Sequence, residues 1–197
     1  MPMFSNVANQ LTFLRIILIP LFVLVYYSGW GYWQFFFAAA IFGVAGITDW
    51  ADGYIARKYG LATKFGAFLD PVADKLMVAV ALSVLIETHR DMWFTLPACV
   101  IICREIVISA LREWMAEVGA RANVKVSGIG KIKTTMQIIS IVVVLLFPPI
   151  YTQKFVVFMN KVGYVSLYAA AVLTLWSMII YLRAAWPSLS NQDDNQG

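Results

Sequence analysis

Four aspartates in two closely spaced pairs are the residues of this sequence best suited to chemistry. Asp49 and Asp52 are three residues apart in the first pair. Asp70 and Asp74 are four apart in the second, and on α-helices both spacings put two carboxylates on one face. Two such helices side by side would gather four carboxylates, which two divalent cations would neutralise. Oxygen ligands suit magnesium or manganese, so the spacing indicates a two-metal site.

The helices that must position these acids belong to a very apolar chain. Of its 197 residues 61% are hydrophobic and 13% charged, against about 45–50% and 25% in soluble domains. We therefore expect an all-α integral membrane protein, with room for about six transmembrane helices and no separate soluble domain. Basic residues are scattered among apolar segments, so a nucleic-acid partner is not expected.

An alternative interpretation of the acids is a solvated loop, or ion pairing with Arg57, Lys58 and Lys75 near a membrane surface. A carboxylate at membrane depth costs about 2.5–3.5 kcal/mol, so four unmatched ones would cost roughly 10 kcal/mol. An interfacial position lowers this cost, whereas crowding of like charges raises it. The apolar setting therefore favours a metal cluster over ion pairing alone.

The apolar pattern divides the chain into a leader (1–10), a membrane domain (11–186) and a polar tail (187–197). The leader is either a short interfacial amphipathic helix or a frayed terminus, and the tail is expected to be disordered from Ser188. Pro71 either interrupts the third helix or marks its start. The predicted spans are 11–28, 32–58, 63–86, 92–117, 129–147 and 155–181.

The distribution of basic residues predicts the orientation in the membrane. With six spans both termini lie on one side, together with most lysines and arginines and the acidic motif. The other side keeps Arg90, Lys154 and Lys161, so the positive-inside rule puts the acidic motif in the cytoplasm. His89, in a polar connection on the far side, is expected to be solvated.

Basic residues near the same level are candidates for holding a phosphorylated substrate. Arg57 lies one helical turn beyond Gly53 and would reach a metal-bound diphosphate. Alternatively, the cations anchor the chain at the membrane surface or pair with Glu105 and Glu113. The candidates for a second phosphate are Arg104, Arg112, Lys131 and Lys133.

The stretch Asp49–Asp74 resembles the signature of the CDP-alcohol phosphotransferase family at every defining position. Further pieces, at Asn9–Arg15, Arg104–Glu105 and Gly130–Gln137, are similar to a bacterial branch whose acceptor is glycerol 3-phosphate. One departure is Ala8, where that branch often has proline, which touches no proposed ligand.

The resemblance implies a six-helix enzyme of the bacterial cytoplasmic (inner) membrane, commonly a homodimer, with its active site facing the cytoplasm. Such an enzyme joins CDP-diacylglycerol to glycerol 3-phosphate and releases CMP. Carried onto this sequence, it implies that Arg57 contacts the diphosphate and that Gly53, Ala56 and Gly66 line the cytidine site. It also implies that Asp74 is the general base, and that two divalent ions, Mg²⁺ or Mn²⁺, are held by Asp49, Asp52, Asp70 and Asp74.

Two other functions stay open at this point. Another acceptor (inositol phosphate, serine or phosphatidylglycerol) would use the same catalytic motif. A divalent-cation transporter would also place acids within membrane helices. A transporter predicts acids spread through the membrane depth, whereas these cluster at one end of two spans beside glycines and cations.

Overall fold

Six α-helices account for nearly all of the described chain. The computed structural model describes the backbone of residues 7–59, 64–117 and 128–193, and the side chains of 12–48, 72–115, 133–183 and 186. No strand occurs within these ranges, which confirms the all-helical prediction. In chain order the helices are α1 (Val7–Tyr26), α2 (Tyr32–Tyr59), α3 (Lys64–His89), α4 (Met92–Glu117), α5 (Gly128–Leu146) and α6 (Lys154–Asp193).

The helix bounds follow the apolar pattern closely but differ at the chain ends. Residues 7–10 of the expected leader continue directly into α1, and residues 1–6 lie outside the described residues. Helix α3 begins at Lys64 and runs through Pro71 without a break, so Pro71 lies inside the helix. Helix α6 continues to Asp193, and the expectation of a disordered tail from Ser188 is therefore wrong for residues 188–193.

The outside of the bundle is apolar, as expected for helices that face lipid. Ile17, Leu24 and Val165 are between 62% and 71% exposed. Within the described ranges, Met92–Met115 and Lys154–Arg183 are long and apolar enough to cross a membrane, and three further apolar stretches are shorter. Surface and composition together indicate a membrane protein.

The interior combines large apolar side chains with small residues that let the helices approach. Phe22, Phe94 and Leu145 are almost fully buried, and Ala98 and Ala170 are completely buried. Small residues at helix contacts are typical of membrane bundles, where close packing rather than hydrophobic burial drives association. The core therefore fits the membrane interpretation.

Side-chain hydrogen bonds show that successive helices alternate in direction. Tyr26, at the end of α1, pairs with Thr88 near the end of α3 at 2.7 Å. Tyr32, at the start of α2, donates to the carbonyl of Leu146 at the end of α5. The end of the bundle with these contacts is called the aromatic end. The last turns of α2 and first turns of α3 consequently lie at the opposite end, called the acidic end.

The turn between α3 and α4 lies at the aromatic end and is built around Arg90, which adopts a left-handed conformation with φ 47°. Asp91 caps α4 by accepting the backbone N–H of Trp93. His89 stacks on Phe94, with ring centroids 4.2 Å apart, and its Nε2 lies 3.3 Å from the Asn160 amide nitrogen. His89 is thus half-buried between α4 and α6, and the expectation of a solvated histidine is wrong.

One close helix contact yields a prediction about stability. A Cβ added to Gly163 on α6 would lie 2.5 Å from Cγ2 of Val144 on α5. Because the Val144 backbone lies directly behind, Gly163→Ala should destabilise the fold by about 1–3 kcal/mol. We expect a lower melting temperature in detergent.

Gly43→Ala is the matched control, because no heavy atom lies within 4 Å of a Cβ added there. Alanine favours helix over glycine, so this control should melt at the same temperature or higher. Equal melting of both variants would contradict the close α5–α6 contact.

Candidate active site

Both acidic pairs lie on helices, as their spacing predicts. The last turns of α2 carry five predicted site residues: Asp49, Asp52, Gly53, Ala56 and Arg57. The first turns of α3 carry Gly66, Asp70 and Asp74. Helices α2 and α3 pack against each other, so the two acidic segments belong to neighbouring helices. Of these eight side chains the structure describes that of Asp74, and the metal arrangement stays a prediction.

Asp74 lines a small cleft between α1, α2, α3 and α5. The cleft also contains Arg15, whose side chain is 1% exposed and is among the largest fully buried ones. The remaining lining residues are apolar or glycine: Phe42, Ala45, Gly46, Met77, Val78 and Ile138. The cleft thus sets a carboxylate and a guanidinium against apolar walls.

Two of the four predicted phosphate-binding cations meet around one carboxylate. Oε1 of Glu105 accepts hydrogen bonds from Arg104 at 3.0 Å and from Lys133 at 2.5 Å. The Arg104 and Lys133 side chains are 7% and 5% exposed, and that of Glu105 is 22% exposed. The pairing with Glu105 considered from the sequence is therefore present. Two cations share one anion, which leaves the group with a surplus positive charge.

The other two candidates lie elsewhere or outside the described side chains. Arg112 is exposed, donates to the Tyr181 hydroxyl at 2.6 Å and lies over its ring at 4.8 Å from the centroid. It is eight residues from Arg104 on α4, a separation of about 12 Å along the helix axis. Lys131 lies in the first turn of α5, and its side chain is outside the described ones.

Lys75 connects the cleft to the cation cluster. It follows Asp74 on α3 and donates a hydrogen bond to Ser109 on α4. Ser109 lies one helical turn beyond Glu105. Lys75 therefore joins the segment of α3 that carries Asp74 to the segment of α4 that carries Glu105.

Sequence reasoning missed the residues of α6 that contact the arginines of α4. Ser177 accepts a hydrogen bond from Arg104 at 2.8 Å, and Tyr181 accepts one from Arg112. The two residues are four apart and so share a helix face. Two polar residues four apart in an apolar helix indicate a polar contact with another helix. The spacing does not reveal which helix lies opposite.

The chain belongs to the CDP-alcohol phosphatidyltransferase family, whose pattern it matches over residues 5–176. This confirms the family resemblance seen in the acidic motif.

Curated relatives give a more particular similarity. The chain is 51% identical to the CDP-diacylglycerol–glycerol-3-phosphate 3-phosphatidyltransferase of Pseudomonas fluorescens, over 93% of this chain and 92% of that protein. It is 50% identical to the protein of the same name from Escherichia coli strain K12, over 95% of this chain and 98% of that protein.

The cation cluster yields a prediction about Glu105. Glu105→Gln removes the charge that Arg104 and Lys133 share, and it leaves two buried cations side by side. Removing one partner of a buried ion pair is strongly destabilising, so we expect a loss of about 2–4 kcal/mol. A fall in the melting temperature in detergent measures it.

Glu113→Gln is the matched control, since Glu113 lies on the same helix with an exposed side chain. We expect the free energy of unfolding of the control to lie within about 0.5 kcal/mol of that of the parent protein. A Glu105→Gln variant as stable as that control would contradict the shared ion pair.

Proposed function

We propose that this chain transfers the phosphatidyl group of CDP-diacylglycerol to glycerol 3-phosphate, giving phosphatidylglycerol phosphate and CMP. The observation that carries this proposal is the identity of 50–51% to curated relatives with this named activity, over 93–95% of the chain. The position of Asp74 agrees with it, because this carboxylate lies beside the buried Arg15 guanidinium in a cleft with apolar walls.

The acceptor follows from the cation cluster and from the relatives' names. Arg104 and Lys133 lie within hydrogen-bond distance of one carboxylate oxygen, so positive charge is concentrated in a buried place. Such a group favours an acceptor that carries a phosphate over serine. The names favour glycerol 3-phosphate over inositol phosphate and phosphatidylglycerol. Membership of a transferase family argues against the transport hypothesis.

We propose that the two acidic pairs hold two divalent cations, Mg²⁺ or Mn²⁺. The donors fit, because Asp49, Asp52, Asp70 and Asp74 offer hard oxygen ligands on neighbouring helices. When bound, the cations would stabilise negative charge that develops on the diphosphate during transfer. The same charge would offset the cost of holding four carboxylates in an apolar bundle.

The protein's own groups would position and activate the substrates. Asp74 would accept the proton of the primary hydroxyl of glycerol 3-phosphate, acting as a general base. That oxygen then attacks the phosphorus that bears the lipid. A bond forms between them, the bond from this phosphorus to the oxygen bridging the two phosphates breaks, and CMP leaves with that oxygen.

The nucleotide would lie along the last turns of α2. Gly53, Ala56 and Gly66 would leave room for the cytidine, since larger side chains would obstruct it, and Arg57 would contact the diphosphate. Arg104 and Lys133, together with Arg112 and Lys131, are the proposed contacts for the acceptor phosphate.

The proposed setting is a bacterial cytoplasmic membrane crossed by all six helices. The acidic end would face the cytoplasm, where CDP-diacylglycerol heads and glycerol 3-phosphate are accessible, and two chains would associate as a homodimer. The apolar exterior of the helices supports the membrane setting.

Release of CMP from purified protein tests the proposed activity. The protein is supplied with CDP-diacylglycerol, magnesium and, separately, glycerol 3-phosphate, inositol phosphate, serine or phosphatidylglycerol. Of these acceptors, we expect only glycerol 3-phosphate to give fast release of CMP. Release that is equally fast with a different acceptor, or that needs none, would overturn the proposal.

Asp74 gives the sharpest mutational prediction. Asp74→Asn keeps the side-chain shape but removes the proton acceptor, so we expect kcat to fall about 100-fold or more. Asp91→Asn is the matched control at the aromatic end, because asparagine caps a helix as well as aspartate. It should retain the parent kcat. Normal turnover by Asp74→Asn, with the protein folded in detergent, would remove Asp74 from the mechanism.

A further inference from the structure

Helix α6 contacts α4 through polar side chains along much of its length. The two helices run parallel. Tyr168 donates to the carbonyl of Trp93 near the aromatic end, and Ser177 contacts Arg104 further toward the C-terminus of both helices. The contact at Trp93 joins α6 to the backbone of α4. The contact at Arg104 joins α6 to a side chain proposed to bind the acceptor phosphate.

The hydroxyl of Ser177 is oriented before any ligand binds. It donates its proton to the carbonyl of Thr174 in its own helix at 2.9 Å. Its lone pairs therefore accept the hydrogen bond from Nη2 of Arg104 at 2.8 Å. Ser177 and Arg104 are 4% and 6% exposed, so water does not compete freely for this bond.

Arg104 is held at two of its three nitrogens. Nη1 donates to Glu105 at 3.0 Å, and Nη2 donates to Ser177. Its buried Nε has no hydrogen-bond partner among the groups that the structure describes. A buried donor without a partner costs free energy, which an anion accepting from Nε–H would recover. The plane of the guanidinium is thus fixed while one donor stays available for a ligand.

We propose that Ser177 is a positioning residue for the acceptor phosphate. It holds the Arg104 guanidinium so that Nε–H and a remaining N–H of Nη2 are presented together to a phosphomonoester dianion. This inference rests on the proposed function, in which Arg104 binds the phosphate of the acceptor. It adds that α6, which carries none of the predicted site residues, sets the affinity for that substrate.

A role in packing alone is distinguishable from this role. Alanine at position 177 removes one oxygen from a small side chain and leaves the helix contact otherwise filled. Threonine restores the hydroxyl. Cysteine keeps a similar volume but is a weak acceptor. The variants therefore separate the hydrogen bond from the volume of the side chain.

The test is a kinetic comparison of full-length variants in detergent with magnesium present, varying each substrate in turn. We expect Ser177→Ala to raise the KM for glycerol 3-phosphate about 5- to 10-fold, the cost of one charge-assisted hydrogen bond. We expect no change in kcat or in the KM for CDP-diacylglycerol. Ser177→Cys should behave as Ser177→Ala, and Ser177→Thr should restore the parent KM.

Two matched controls lie on the same helix. Ser166→Ala removes an exposed hydroxyl that bonds to its own helix. Tyr168→Phe removes a hydrogen bond between α6 and α4 far from Arg104. Both should keep the parent KM for glycerol 3-phosphate. If Tyr168→Phe and Ser177→Ala raised the KM for glycerol 3-phosphate equally, the positioning role would be overturned, because loosened packing would then explain both results.

Arg104→Ala separates failure of this inference from failure of the proposed function. If Arg104→Ala raises the KM for glycerol 3-phosphate selectively and Ser177→Ala does not, the inference is overturned and the acceptor site stands. If Arg104→Ala affects both substrates equally, the acceptor site itself is wrong. If the proposal holds, adding Ser177→Ala to the Arg104→Ala variant causes no further rise in the KM for glycerol 3-phosphate, because Ser177 acts through Arg104.

Should Ser177→Ala lower the melting temperature markedly, Ser177→Cys and Ser177→Thr decide the question. A raised KM for glycerol 3-phosphate with cysteine and a parent KM with threonine support the proposal. A parent KM with cysteine overturns it.

Discussion

Every charge inside this apolar bundle has to be neutralised or hydrogen-bonded where it lies, and the structure is arranged around that constraint. An ion at membrane depth costs about 2.5–3.5 kcal/mol. Glu105 satisfies this constraint because one of its carboxylate oxygens accepts hydrogen bonds from both Arg104 and Lys133. The three charged groups come from α4 and α5. The four aspartates of the acidic motif face the same constraint, and bound divalent cations are the proposed way of meeting it.

The alternating helices bring these charges to one end of the bundle. Hydrogen bonds at the aromatic end fix α1 to α3 and α2 to α5, so the opposite end gathers the last turns of α2 and the first turns of α3. The adjacent residues Asp74 and Lys75 then belong to the cleft and to the α3–α4 contact. The carboxylate proposed as the general base and the cations proposed to bind the acceptor phosphate are thereby placed on neighbouring helices.

The sequence predicted the helices well because apolar length is a strong signal in a membrane protein. Helix α4 has the predicted bounds, α2 differs from its prediction by one residue at its C-terminal end, and α5 differs by one residue at each end. The helical extension to Asp193 was missed because polar residues in a helix leave no apolar period. Ser177 was missed for a different reason: like Ser166 in the same helix, it bonds its own backbone, and only the packing of α4 distinguishes the two.

Binding of manganese to the detergent-solubilised protein tests the central claim most directly. Free Mn²⁺ is followed by its magnetic resonance signal as the ion is added to the parent protein and to Asp70→Asn. The account predicts that the parent protein removes about two ions per chain from solution, and that the variant removes fewer. A free-ion signal that rises from the first addition, equally in both proteins, would contradict it.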